Sequence, residues 1–219
     1  MIVRRLQGVD GARAATGAAV IIDVFRAFTT AAFAVAAGAR DVVLVGDHEQ
    51  ALALKVADPT LFLTGEIGGK PILGFDLGNS PSLIEGLDLT GRRVVQRTSA
   101  GTQCVVAAAA ATEIVLGSLV IAGATARYLR DRALVSLVAT DAERTGDTCE
   151  DEVCAAYLET LLAGGAAAAP VVRLIGDLEG WPEWFPRRDA ELASEVDRFD
   201  FALPVTRENG LLVARPVFR

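Results

Sequence analysis

Ala18-Ala19-Val20-Ile21-Ile22-Asp23 decides the fold. An unbroken apolar run closed by a carboxylate leaves no polar face for water. That is how a strand buried on both faces of a parallel sheet reads. Ala27 to Ala37 follows as a helix, and Gly38 stands where a left-handed residue ends helices. The alternation continues with strand Asp41–Val45, a helix from Glu49 to Ala57 stopped before Pro59, and a short strand Leu61–Leu63. It fails from Thr64 to Pro81, a loop long enough to suggest function. It resumes with strand Arg93–Gln96, helix Thr102–Ala111, strand Ile114–Leu116, helix Ala122–Leu129 and strand Leu134–Ala139. A loop from Thr140 to Cys149 leads to a helix over Asp151–Leu162, introduced by the cap-like pairs Asp147/Glu150 and Thr148/Asp151. Trp181 to Pro186 reads as a packed cover and Phe199–Val205 as an edge strand. This order predicts an α/β protein, a three-layer α/β/α sandwich with a mostly parallel sheet. No change of composition marks a linker, so residues 1–219 read as one domain.

Composition narrows the function. The 219 residues are 52% hydrophobic and 22% charged, and aromatics supply only 6%, so Ala, Val and Leu must build the core. The net charge of −7 and the lack of a Lys/Arg stripe argue against a nucleic-acid partner. No apolar run is long enough to span a membrane. The start Met1-Ile2-Val3-Arg4-Arg5 leads into no apolar signal region, so a cytoplasmic location is expected. Cys104, Cys149 and Cys154 lack zinc-site spacing and read as free thiols. A single histidine, His48, precludes a multi-histidine metal site. So apolar a chain with exposed Trp181 and Trp184 would form a homodimer; alternatively the aromatic cluster covers the core.

In doubly wound sheets, ligands gather outside the carboxyl ends of the strands. Polar residues collect after successive strands: Asp23 and Arg26, then Glu66 and the segment Gly74-Phe75-Asp76-Leu77-Gly78-Asn79-Ser80-Pro81, then Thr98-Ser99-Ala100-Gly101-Thr102, then Thr140 with Glu150-Asp151. They are expected on one sheet edge. The arginine suits phosphate or carboxylate. The Thr98–Thr102 turn can offer backbone N–H groups to an anion. The carboxylates Asp23, Glu66, Asp76, Glu150 and Asp151 are sufficient for Mg²⁺. Each piece alone also reads as ordinary turn and helix-cap chemistry. A P-loop, a Gly-x-Ser-x-Gly elbow and a dinucleotide Gly-x-Gly-x-x-Gly are all missing from the sequence.

In order and spacing, Val20–Thr30, Gly65-Glu66, Gly74–Pro81, Thr98–Thr102 and Glu150-Asp151 with Cys154-Ala155 together resemble the 2-phosphosulfolactate phosphatase family. The resemblance runs from about Val20 to Leu158, with a weaker echo in Asp189–Pro204. It implies Mg²⁺-dependent hydrolysis of a small anionic phosphate ester of a 2-hydroxy acid, the reference substrate being (R)-2-phospho-3-sulfolactate on the route to coenzyme M. Carried over position by position, it makes Asp23, Glu66, Asp76 and Asp151 catalytic candidates. Arg26, Asn79, Ser80, Thr98, Ser99, Gly101 and Thr102 become substrate-binding candidates, and Glu150 joins the metal candidates. Ala100 departs from the Asn that many relatives carry there. A binding module that has lost hydrolysis, or another phospho-acid enzyme on the same sheet, is the alternative.

Overall fold

The computed structural model describes residues 1–141, 149–165, 168 and 185–218. Its elements run β1 (Ile2–Gln7), α1 (Gly8–Ala14), β2 (Ala18–Ile22), α2 (Ala27–Ala36), β3 (Asp41–Leu44), α3 (His48–Ala57), β4 (Phe62–Ile67), β5 (Lys70–Pro71), β6 (Leu77–Gly78) and α4 (Pro81–Ile84). They continue with β7 (Arg93–Arg97), α5 (Gly101–Ala107), β8 (Glu113–Gly117), α6 (Ala122–Leu129), β9 (Leu134–Ala139), α7 (Glu150–Leu162), α8 (Arg187–Ala193), β10 (Leu203–Glu208) and β11 (Leu211–Ala214). The expected alternation is present, with β1 and α1 added ahead of it. The expected caps Asp147 and Thr148 and the cover residues Trp181 and Trp184 lie outside the described residues.

Side-chain alternation along the strands separates two helical layers. In β2, Ala19 and Ile21 face a core shared with α1, α2, α4 and α5, whereas Ala18, Val20 and Ile22 face α6 and α7. In β3, Val42 and Leu44 join the first core, and Val43 meets Ala51 of α3 on the other face. This is the three-layer α/β/α sandwich. No helix among the described residues is long and apolar enough to cross a membrane.

The strand order is β1-β9-β2-β8-β10-β11-β3-β7-β4-β5, with β6 beside β4. β1, β9, β2 and β8 are mutually parallel. So are β3, β7, β4 and β6. Between the two groups sits the β10–β11 hairpin, antiparallel to β8 on one side and to β3 on the other. The expected edge strand near Phe199–Val205 is therefore corrected: β10 begins at Leu203 and lies in the middle of the sheet. Its turn carries Asn209 (φ 50°) and Gly210 (φ 80°), the paired positive-φ residues of a two-residue hairpin.

Three successive antiparallel pairings reverse the sheet, so β2 and β7 run in opposite senses. On a flat sheet their carboxyl ends would lie on opposite edges. Twist of about 20–25° per strand accumulates over the intervening strands and swings the two ends together. The end of β7 meets the start of α2, which follows β2: Gln96 Nε2 donates to Ala27 O at 2.7 Å. The single polar edge expected from the sequence is in fact a junction of two.

Asp41, fully buried at the start of β3, secures the second group to the hairpin. It accepts from Arg93 Nε and Nη2, both at 2.7 Å, and from Arg215 Nη2 at 3.2 Å. Burial alone would raise its carboxyl, but the Arg93 hydrogen bonds and charge, with Arg40 and Arg215, outweigh burial and hold it below the usual range. A depressed carboxylate stabilises the fold above its unfolded pKa, and this contribution is lost as pH falls through the folded value. Asp41→Asn is expected to cost about 3 kcal/mol at neutral pH. Urea titrations should show the difference from wild type shrinking as the pH is taken below 4, the ordinary carboxylate range.

Candidate active site

A cavity of about 190 Å³ opens where the two strand groups meet, lined by Asp23, Phe25, Arg26, Glu66, Gly69, Asn79, Ser99, Ala100 and Phe185. Five of these are sequence candidates: Asp23, Arg26, Glu66, Asn79 and Ser99. Asp23 leaves β2 with its N–H on Gly117 O at 3.1 Å. Its Oδ1 then accepts Ala27 N at 2.8 Å, which caps α2 and aims Oδ2 away from the helix. Gly101 packs against that side: a Cβ there would stand 2.7 Å from Asp23 Oδ2, 2.8 Å from Ala27 Cβ and 3.1 Å from Phe28 Cζ. Only a glycine lets α5 approach the carboxylate so closely.

Glu66 comes from the end of β4, which runs past the expected stop at Leu63. Its Oε1 accepts Ser99 N at 2.5 Å, and its Oε2 accepts Gly69 N at 2.6 Å and Ser99 Oγ at 3.1 Å. The Ser99 N–H is thus committed to Glu66. Thr98 and Thr102 close the turn on each other: Thr102 N donates to Thr98 Oγ1 at 3.0 Å, and Thr98 N donates to Thr102 Oγ1 at 2.9 Å. These hydroxyls shape the turn from behind the cavity wall.

Asn79 reaches the cavity through β6, which rises parallel to β4 from the register Thr64↔Leu77. Asp76 begins that rise and remains at its foot. It accepts Leu63 N at 2.7 Å and Lys55 Nζ at 2.9 Å, and its own N–H donates to Leu63 O at 3.0 Å. The structure therefore does not bring Asp76 into the cavity with Asp23 and Glu66; its carboxylate fastens β6 to β4. Gln96 Nε2 lies 3.3 Å from Asn79 Oδ1, which leaves the Asn79 amide nitrogen to face elsewhere. Ser80 stands one step back, its Oγ donating to Asp189 Oδ1 at 2.7 Å.

Asp151 and Glu150 are buried at the start of α7. Asp151 Oδ1 accepts Val24 N at 2.7 Å; Oδ2 accepts Thr140 Oγ1 at 2.9 Å, Thr140 N at 3.1 Å and Asp141 N at 3.3 Å. It clamps the ends of β2 and β9 directly behind Asp23. Burial drives the Asp23 carboxyl well above the usual range. The Asp151 charge adds to this, Glu66 and Glu150 add less, and the Ala27 N–H offsets part of it. Burial also raises Asp151, against the donors that hold its charged form. The three cysteines are free and buried, and burial pushes the Cys104 thiol up to about 12 and the Cys149 thiol up to about 11, so neither is a thiolate at neutral pH.

Four mutually repelling buried carboxyl groups around Asp23 suit a hard cation that takes oxygen ligands. Among the described residues no group of three or more His, Cys, Asp or Glu side chains is placed to hold a metal unaided. The donor set fits Mg²⁺ in its usual mode, with one or two protein carboxylates and the remaining positions left to water and phosphate oxygens.

Sequence reasoning missed three residues here. Gln96 is a fully buried amide inside the apolar run of β7, and a polar residue in such a strand was the available signal. Phe185 lies over the guanidinium of Arg26, 4.4 Å from Cζ to the ring centroid. Asp189 accepts Arg26 Nη1 at 2.8 Å, yet in sequence it is an ordinary acid in the first turn of a helix.

The family model described as 2-phosphosulpholactate phosphatase matches residues 5–173. A probable 2-phosphosulfolactate phosphatase of Bacillus subtilis is 33% identical over 72% of this chain and 70% of its own length. Proteins of the same description from Deinococcus radiodurans and Thermus thermophilus are 42% and 38% identical, over 67% and 82% of this chain and 62% and 69% of theirs. The chain thus spans about two-thirds of the length of the relatives it matches, and less than two-thirds of the Deinococcus protein.

Two variants test this geometry. A carboxyl raised in the folded state destabilises the fold progressively as pH rises from its unfolded pKa through its folded one. Asp23→Asn should therefore raise Tm at neutral pH while removing activity on the order of a thousandfold. Added Mg²⁺ should raise the wild-type Tm more than that of the variant, as read by calorimetry. Gly101→Ala should push Asp23 out of place, costing about 1–3 kcal/mol of stability and about a hundredfold in kcat.

Proposed function

The chain belongs to the 2-phosphosulfolactate phosphatase family, and we propose that it is an Mg²⁺-dependent phosphatase acting on the phosphate ester of a small 2-hydroxy acid, with (R)-2-phospho-3-sulfolactate as the leading substrate. The observation that carries this reading is the shared wall of Asp23, Glu66 and Arg26 in one small cavity. A guanidinium beside two buried carboxylates suits a substrate with several negative groups: the arginine takes one of them, and the carboxylates take a second through a cation.

Arg26 binds and orients an anionic group of the substrate, its own position set before substrate arrives. Asn79 contributes an amide to the cavity lining. Held at Asp23 and Glu66, Mg²⁺ would neutralise charge growing on the phosphoryl oxygens. Glu66, fixed by Ser99 and Gly69, keeps its position as charge develops. Asp23 is the reacting carboxylate, because it alone combines deep burial, a wall of the cavity and a carboxyl lifted by its neighbours. It either takes the proton of an attacking water or takes the phosphoryl group itself. In both routes the ester P–O bond breaks, the departing alkoxide gains a proton and water supplies the new oxygen of phosphate. One in-line displacement inverts configuration at phosphorus and two retain it, so a chiral phosphate ester separates the routes.

The decisive assay is phosphate release from a panel of 2-phospho-hydroxyacids, phospholactate and phosphosulfolactate included. Release should require Mg²⁺, stop with EDTA and return when Mg²⁺ is restored. A panel without release under any metal condition would overturn the reading.

A further inference from the structure

Resting on that reading, we infer that the Phe185–Asp189 segment braces the anion-binding wall of the cavity and that Asp189 is the positioning residue that fixes Arg26 and Ser80 as one unit. The segment lies beyond residues 5–173, the part matched to the family.

Asp189 is fully buried, as is nearly all of Arg26. Its two oxygens serve different segments. Oδ2 accepts Arg26 Nη1 at 2.8 Å, from the loop after β2. Oδ1 accepts Ser80 Oγ at 2.7 Å and Ser82 N at 2.9 Å, from the start of α4. One carboxylate therefore joins the segment that carries Asp23 to the segment that carries Asn79. Phe185 adds a second restraint: its ring covers the guanidinium face at 4.4 Å and meets Phe25 edge-on at 5.9 Å. Asp189 lies in the first turn of α8, which packs on α4, and Phe185 stands two residues ahead of that helix.

The chemistry calls for such a brace. A free arginine has many rotamers, and ordering one on binding weakens capture of the ligand. A buried Asp without a cation is strongly disfavoured, so the pair is mutually obligatory. The Asp189 charge is taken up by Arg26 and two donors on its own side of the cavity. Asp189 therefore acts through Arg26 and need not touch substrate.

The test measures inorganic phosphate binding by calorimetry, and kcat and KM for phospholactate, in the full chain. Asp189→Asn keeps the shape and can still accept from Ser80 and Ser82 but loses the charge opposite Arg26. Phosphate affinity should fall and KM should rise at least roughly tenfold, with kcat changed less, because one charge-assisted hydrogen bond is weakened. Arg26→Ala combined with Asp189→Asn should have a KM within about threefold of Arg26→Ala alone, since the guanidinium is then gone and Asn still accepts from Ser80 and Ser82. An unchanged KM in Asp189→Asn, or penalties that multiply in the double variant, would overturn the inference. If Asp189→Asn does not fold, Asp189→Glu is read in the same way: the longer arm displaces the guanidinium, and an unchanged KM there also overturns it. Wild-type protein that neither binds phosphate nor releases it from any member of the 2-phospho-hydroxyacid panel would overturn the phosphatase reading together with this one. Wild-type activity with an indifferent Asp189 would overturn this one alone.

Discussion

The antiparallel seating of the β10–β11 hairpin between β8 and β3 is the constraint on which the rest of the molecule depends. It makes one sheet from two parallel groups of opposite sense. Helical packing and twist then fold the carboxyl ends of those groups toward each other. Asp23 belongs to one group, and Glu66, Asn79 and Ser99 belong to the other. Neither group alone has both the carboxylate proposed to react and the other polar residues that line the cavity. Where Gly101 packs beside Asp23 across the junction, there is no room even for a methyl group.

The junction concentrates unfavourable charge. Asp23, Asp151, Glu66 and Glu150 crowd into a buried volume, and the clamps on Asp151 and Glu66 come from backbone N–H groups and hydroxyls. Those donors hold the groups in place without cancelling their charge. Across the cavity, Arg26 is matched to Asp189. Burial thus disfavours the charged forms of Asp23 and Asp151, whereas Arg26 is paired with Asp189 before any ligand arrives. A fold optimised for stability alone would not keep this arrangement, and such conflicts tend to collect at working sites.

Much of this was legible in the sequence because it follows from local pattern. The unbroken run Ala18–Ile22 and the alternation after it identified the layers, and Asp23, Arg26, Glu66, Asn79 and Ser99 stood out as polar residues after buried strands. What failed was non-local. The edge strand expected over Phe199–Val205 became a central one, although proline cannot donate to a ladder. Pro204 stands opposite Val115 of β8 and its carbonyl accepts Arg215 N at 3.2 Å. The Asn209-Gly210 turn was a readable hairpin signal in the same stretch. Asp76 looked like Asp23 in composition, but the direction of β6 separates them: a strand rising from Asp76 delivers Asn79 and leaves Asp76 behind. Asp189 stood in the sequence only as the start of the weaker echo Asp189–Pro204, since its role is defined by partners more than a hundred residues away.

The position of the hairpin in the chain also orders the folding of a nascent molecule. The strands of both groups leave the ribosome before residues 203–214 do, so until then β8 and β3 each present a bare edge of unpaired backbone. Such edges invite pairing with other chains. The contact that unites the sheet is also among the most distant in sequence, β11 returning to β3 across some 170 residues, and distant pairings form slowly. During synthesis this protein passes through a stage in which most of its core can form while the junction that sets Asp23 beside Glu66 cannot, and in that stage its bare strand edges leave it more open to aggregation than the finished fold is.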